Sequence, residues 1–97
     1  MLKYERADKT VMNQDSVFGN IEVHNYELFL GNLDIGVMEM AMDEDHVFIF
    51  NVYLEFDYRG KGLFTEWLQS LGLLIICFQP VADALPYWKR TADEIYL

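Results

Sequence analysis

The sequence predicts a mixed-sheet domain of the α+β or α/β class, an antiparallel meander leading into a parallel β-α-β crossover and a C-terminal helix. Three observations predict it. Strand-like runs at residues 21–30 (IEVHNYELFL), 33–42 (LDIGVMEMAM) and 46–54 (HVFIFNVYL) are separated only by the short turn signals Gly31-Asn32 and Asp43-Glu44-Asp45, as in a meander of hairpins. Next, Leu63, Phe64, Trp67, Leu68 and Leu71 fall at helical spacing among polar residues, giving one apolar stripe and one wet face. Finally, that helix is followed by an apolar run, residues 73–78 (LLIICF). Strand, helix, strand joined this way pair in parallel.

The elements follow in chain order. Residues 1–6 suit a short edge strand. Residues 7–20 are polar, with a loop at Asn13-Gln14-Asp15-Ser16 and a short helix around residues 9–12. The run at 21–30 has a candidate break at His24-Asn25. Strict alternation in 33–42 sets Leu33, Ile35, Val37, Glu39 and Ala41 on one face and Asp34, Gly36, Met38, Met40 and Met42 on the other. Residues 46–54 are apolar on both faces apart from His46 and Asn51, as a central strand covered from two sides should be. The helix starts at Gly62 and ends near residues 70–72. Gln79-Pro80 ends the next strand. Residues 81–90 form a second helix, which Pro86 either kinks or starts. Residues 95–97 suit a last short strand. No repeat, low-complexity segment or linker divides the chain, so residues 1–97 read as one domain.

Composition narrows the function classes. The chain has 97 residues, 53% hydrophobic and 15% aromatic, which argues against disorder and for a modest buried core. Its single cysteine, Cys77, allows no intrachain disulfide, makes a cysteine-based metal site improbable and reads as a small buried hydrophobe. The N-terminus lacks the apolar core of a secretory signal, and the longest apolar run, residues 71–78, is far too short to span a bilayer. The expectation is a cytoplasmic protein without a membrane partner. The net charge is −9, and no Lys or Arg occurs between Lys9 and Arg59. Such an acidic body argues against direct nucleic-acid binding, which needs a basic face, and favours basic partners. The plain alternative is a solvated acidic surface. So many apolar residues on a small chain also leave a homodimer interface open.

Four of the seven cations gather in two short segments, Arg59 and Lys61, then Lys89 and Arg90. Arg59-Gly60-Lys61-Gly62 lies between the apolar strand and the helix. A helix start leaves N–H groups unpaired and carries partial positive charge. Glycines let a ligand approach the backbone, so strand, glycine loop and helix N-terminus together suit a phosphate group. The bland alternative is a strand-to-helix turn with two solvated cations. A Walker loop is excluded because no Gly-Lys-Ser/Thr ending is present. The dinucleotide fingerprint fails because Gly60-Lys61-Gly62 is followed by Leu63, Phe64 and Thr65.

The segment Arg59-Gly60-Lys61-Gly62-Leu63-Phe64 resembles the acetyl-CoA signature of the GNAT acetyltransferase family, Arg/Gln-x-x-Gly-x-Gly/Ala, which follows a central strand and opens a helix. It departs at Phe64, where the family has a small residue. Ala84-Leu85-Pro86-Tyr87-Trp88-Lys89-Arg90 resembles the family's late helix with its aromatic pair, although Thr91-Ala92-Asp93 replaces the usual Gly-Phe ending. Together the two segments cover the last half of the chain. The N-terminal half lacks the family's two-helix opening, so this would be a short, minimal member with a GNAT-like mixed sheet. The resemblance implies acetyl-CoA as cofactor, bound by Arg59, Gly60, Lys61, Gly62, Leu63, Phe64 and Thr65, by the backbone of Val52, Tyr53 and Leu54 where the central strand splays from its neighbour, and by Trp88. No metal is implied.

Acetyl transfer needs a neutral amine and an acid for the leaving thiolate. The family's acid is a tyrosine of the late aromatic pair, a position held here by Trp88. Tyr87 stands one residue earlier, where a helix would point it elsewhere, and is the candidate acid or a packing aromatic. Candidate bases are His46, Glu55 and Glu39; His46 also reads as a turn residue beside the acidic tip, and His24 has less to recommend it. Direct attack by the amine, with the protein positioning the reactants, needs neither group. Two functions follow. One is an N-acetyltransferase acting on a primary amine of a basic acceptor, whether a small molecule such as a polyamine or a protein lysine. The other is a non-catalytic acidic interaction or inhibitor protein, of the phage type, on a GNAT-like fold.

Overall fold

A computed structural model describes residues 2–97, the side chains of residues 8–10 excepted. The elements are β1 (Leu2–Ser16), β2 (Gly19–Leu30), β3 (Leu33–Met42), β4 (His46–Leu54), a 3-10 turn (Phe56–Tyr58), α1 (Leu63–Ser70), β5 (Leu74–Phe78), a 3-10 turn (Ala82–Ala84), α2 (Leu85–Thr91) and β6 (Glu94–Tyr96). They build an α+β fold on one six-stranded mixed sheet whose strands lie in chain order. Neighbours from β1 to β4 are antiparallel. β4, β5 and β6 are parallel. Among the described residues no helix is long and apolar enough to cross a membrane.

The N-terminal expectation is corrected. β1 is a single 15-residue strand, with no helix at 9–12 and no loop at 13–16. It is the edge of the sheet, so backbone pairing to β2 holds it while much of its side-chain surface stays wet. That is why its hydropathy looked like a loop. The candidate break at His24-Asn25 is not in β2, which runs unbroken from Gly19 to Leu30; the irregularity is in its partner, where residues 7–10 oppose Asn25 alone, between the pairs Arg6–Tyr26 and Val11–His24.

Two β-bulges decide which residues face the core. On β3, Ile35 is an extra residue between the pairs Phe29–Asp34 and Leu28–Gly36. On β4, Phe50 is extra between Met40–Ile49 and Glu39–Asn51. One inserted residue reverses the facing of everything beyond it. Ile35 therefore joins Met38 and Met40 in one core, whereas strict alternation placed it on the opposite face. On β4, Val47 and Ile49 face the same core before the bulge, and Val52 and Leu54 face it after.

That core lies under the two helices. Phe64, Trp67 and Leu68 of α1 and Trp88 of α2 pack with Leu28, Ile35, Ile49 and Ile75. Full burial of a Leu or Ile side chain contributes about 1.5–3 kcal/mol. Pro86 starts α2 rather than kinking it, since it occupies the first turn, where no N–H donor is required. The other face of the sheet has no helix over it. Pairing of β2 to β3 begins only at His24–Met40, and the preceding stretch of β2 continues with β1 as a hairpin arm across this face. Ile21 and Val23 of the arm pack with Ala41, Phe48, Ile76 and Phe78. Phe18 at the arm's tip lies 5.2 Å from Phe48 and 5.8 Å from Tyr96, ring centre to ring centre.

Gly36 has no room for a side chain: a Cβ there would sit 2.1 Å from the Tyr53 carbonyl oxygen. Gly36→Ala must push β3 from β4, and such overpacking costs about 1–3 kcal/mol. Thermal unfolding should register this as a midpoint at least about 4 °C lower. An unchanged midpoint would contradict the close approach of the two strands.

Candidate functional site

The parallel pairing of β4 with β5 covers His46 to Ile49 against Leu74 to Cys77 and stops there. β4 runs on to Leu54, while β5 ends at Phe78. Two local devices separate the strands. The Phe50 bulge bends β4, and Gln79 turns the chain out of β5 at a φ of 48°, a left-handed conformation uncommon for a residue other than glycine. Pairing to β3 continues through Leu54. The side of β4 towards β5 thus has no strand partner from residue 51 onward.

A cleft of about 440 Å³ opens at this point. Its floor is Val52, Tyr53 and Leu54, and its far wall is the start of α1 with Tyr87 of α2. Gly62 caps α1 in the left-handed conformation, φ 75°, which costs glycine little. The first helical bond runs from the Glu66 N–H to the Gly62 carbonyl, 2.9 Å. The amides of Leu63, Phe64 and Thr65 therefore stand outside the helical ladder at the positive end of the helix. Arg59 is braced beside them: its Nε donates to the Leu54 carbonyl at 2.7 Å, and its guanidinium lies 4.9 Å from the Tyr53 ring centre. Lys61 is exposed beyond the lining, with Nζ 5.9 Å from the Tyr58 ring centre.

Of the residues singled out from sequence, the cleft brings together Val52, Tyr53, Leu54, Arg59, Gly60, Gly62, Leu63, Phe64, Thr65 and Tyr87. The Phe64 ring is buried, with its centre 5.6 Å from that of Trp67 and 6.3 Å from that of Trp88. Its bulk thus lies in the core rather than over the glycine loop. Of the aromatic pair, Tyr87 stands where the candidate acid was expected, whereas Trp88 does not line the cleft. Trp88 is buried behind Phe64, and Tyr87 meets the cleft. The larger ring takes the core, and the phenol stays where its hydroxyl finds a partner. That partner is Thr65 Oγ1, 2.7 Å from the Tyr87 hydroxyl, a bond that ties α2 to the first turn of α1. The helical spacing of 87 and 88 was visible in the sequence; which of the two faced inward was not.

The candidate bases lie elsewhere. His46 is at the opposite end of β4, its Nδ1 3.0 Å from Asp43 Oδ1. Burial raises the Asp43 pKa, but the Asp45 amide, the His46 side chain and the His46 amide outweigh it and hold the carboxyl below its usual range. This pair closes the β3–β4 turn. Glu55 is exposed just past the end of β4 and does not line the cleft. Glu39 sits on β3 opposite Asn51, bordering a separate hollow of about 250 Å³ with Asn25 and Val37. Among the described residues that line the cleft there is no carboxylate or imidazole. Among the described residues no group of His, Cys, Asp or Glu is placed to hold a metal ion. No family model, no curated protein and no solved structure matches the chain.

Cys77 lies on β5 just below the point where the strands part, 2% exposed. Burial pushes its thiol up to about 12. In the unfolded chain the thiol ionises near pH 8.5 (about the free value), so above that pH the unfolded state binds fewer protons than the folded one. The thiol's contribution to stability is full below about pH 8.5 and is lost as pH rises towards 12. Denaturant unfolding should show a fall in stability between about pH 9 and 11 that Cys77→Ala makes shallower. Parallel pH curves for the two proteins would refute it.

Proposed function

We propose that the protein is an acetyl-CoA-dependent N-acetyltransferase of the GNAT type, acting on a primary amine of a basic acceptor. The observation that carries this is the parting of β4 from β5 directly beside a glycine-bounded helix start. Each part of the cleft matches one part of such a ligand. The amides of Leu63, Phe64 and Thr65, with Arg59 and Lys61 close by, suit a pyrophosphate. The side of β4 away from β3 at residues 52–54, where Arg59 already takes the Leu54 carbonyl, offers its remaining backbone groups to an extended amide-bearing arm, as an added strand would use them. The glycines at 60 and 62 leave the approach open.

Acetyl-CoA, when bound, supplies the acetyl group as a thioester. The chain's own residues then have two tasks. The cleft aligns the thioester along β4, and orientation alone lowers the barrier substantially. The Tyr87 hydroxyl, held by Thr65, would give its proton to the departing thiolate and be reprotonated by the proton that the acylated nitrogen sheds. With no carboxylate or imidazole on the lining, the amine loses its proton to solvent before it attacks. An acidic body, net −9, draws cationic acceptors towards the protein. This favours lysine side chains and polyamines over neutral amines. The same lack of a base on the lining favours the second reading, a non-catalytic acidic interaction or inhibitor protein on this fold.

Thermal unfolding with acetyl-CoA separates the two. At about 100 times its dissociation constant the ligand should add roughly 2.7 kcal/mol, a rise of roughly 10 °C or more for a domain of this size. Arg59→Ala with Lys61→Ala should remove most of that rise. No shift at millimolar acetyl-CoA would leave the interaction-protein reading standing. If binding holds, Tyr87→Phe should lower kcat on a polyamine by about 10²-fold or more with acetyl-CoA binding retained. An unchanged kcat would take the acid role away from Tyr87.

A further inference from the structure

Arg59 does not merely stand beside the glycine loop; it occupies a hydrogen-bonding position on β4. The Glu55 N–H donates to the Ile35 carbonyl on β3 at 2.7 Å. In the same planar trans peptide the Leu54 carbonyl points the opposite way, away from β3. Arg59 Nε donates to that carbonyl at 2.7 Å. The intervening turn delivers it there. The Tyr58 N–H bonds to the Glu55 carbonyl at 2.9 Å and the Arg59 N–H to the Phe56 carbonyl at 3.2 Å, which folds residue 59 back beside the end of β4. The guanidinium carbon lies 4.9 Å from the Tyr53 ring centre and 6.0 Å from that of Phe56.

An arm that pairs with β4 as an added strand needs this same carbonyl. A charged donor holds an acceptor more strongly than a neutral amide does, so the Arg59 contact competes with the arm. An anion reverses the balance, because a guanidinium pairs with a phosphate better than with a neutral carbonyl. Arg59 shares the cleft lining with Leu63, Phe64 and Thr65, whose amides suit a phosphate. Its side chain is otherwise exposed, so no core packing has to change when it swings.

We propose that Arg59 is a specificity latch. It occupies the Leu54 carbonyl until a phosphate of the incoming ligand draws the guanidinium away. The cleft then accepts an amide-bearing arm that carries a diphosphate and discriminates against the same arm without one. The latch rests on the transferase reading and names the acyl donor it selects: CoA thioesters over short pantetheine thioesters.

The test titrates the ¹⁵N-labelled full chain, followed by NMR, with the two halves of the ligand. Pantetheine is the neutral arm; ADP is a diphosphate without the arm. Arg59→Met keeps most of the side chain's length and removes its donors, whereas Arg59→Ala removes both. Each variant should bind pantetheine about threefold or more tighter than the parent does and ADP about threefold or more weaker. A residue that only binds ligand would weaken both. In the parent, saturating acetyl-CoA should move the Arg59 Nε–H signal, assigned by its absence from Arg59→Met. The amide spectrum reports that each variant is folded. Pantetheine affinity no higher in the variants, or ADP affinity undiminished in both, overturns the latch. So does a gain in Arg59→Ala alone, which would reflect added space rather than a vacated carbonyl. No pantetheine binding to either variant by about 20 mM, far above the dissociation constant of useful sites, overturns it too, as does an Arg59 Nε–H signal unmoved by bound acetyl-CoA. Failure of acetyl-CoA to bind removes the transferase reading and the latch together; acetyl-CoA binding with any of these other results removes the latch alone.

Discussion

Two parallel strands that stay paired along their length leave no backbone available between them. β4 and β5 pair for only four residues, His46 to Ile49 against Leu74 to Cys77, and the rest of the candidate site depends on where that pairing stops. The Phe50 bulge and the left-handed Gln79 act on opposite strands at the same level. Each costs the fold something, since a bulge breaks the ladder and a left-handed Gln is strained. The surrounding core holds both. Cys77 and Ile49 are buried at the fork, and Trp88 covers it from the helix side. Backbone polar groups left over at this level must be met by water or a ligand, and the start of α1 presents its own free amides to the same space.

A chain of this length has to cover two faces of a twisted sheet with few elements. Both helices go to one face, because each parallel crossover moves one strand further in the same direction and crossovers share one hand. The other face is covered by the sheet's own first hairpin. The bulge at residues 7–10 gives β1 the slack to bend with β2, and Phe18 then reaches aromatic residues on β4, β5 and β6. A hairpin arm covers less than a helix does, and a hollow of about 360 Å³ beneath it stays open. The cleft and this hollow thus arise where a strand leaves its neighbour: β4 from β5, and β2 from β3.

Charge is distributed along the same division. Arg59 is braced at the cleft by its own backbone and by Tyr53. Carboxylates border the hollow beneath the arm and the β3–β4 turn. With a net charge of −9, the surface as a whole favours cations over anions.

The stretch from β3 to β5 was legible from residues alone. Runs of apolar residues with periods of 2 and 3.6, bounded by glycine and proline, placed β3, β4, α1 and β5 within a residue or two, because local periodicity reflects which side of an element is wet. The glycine loop and its cations were equally plain. β1 was read as an edge strand only over its first residues, and residues 7–16 were missed, because an edge strand is held by backbone pairing that side-chain hydropathy does not record. The faces of Ile35 and of residues 51–54 depended on bulges, whose position is set by the register of the partner strand. Tyr87 rather than Trp88 reached the cleft because Phe64 and the sheet had already decided which side of α2 was core. Composition, periodicity and loop chemistry thus determined most of the elements and located the glycine loop with its cations. Tertiary packing alone decided where strands part, and a parting of strands depends on partners distant in the chain.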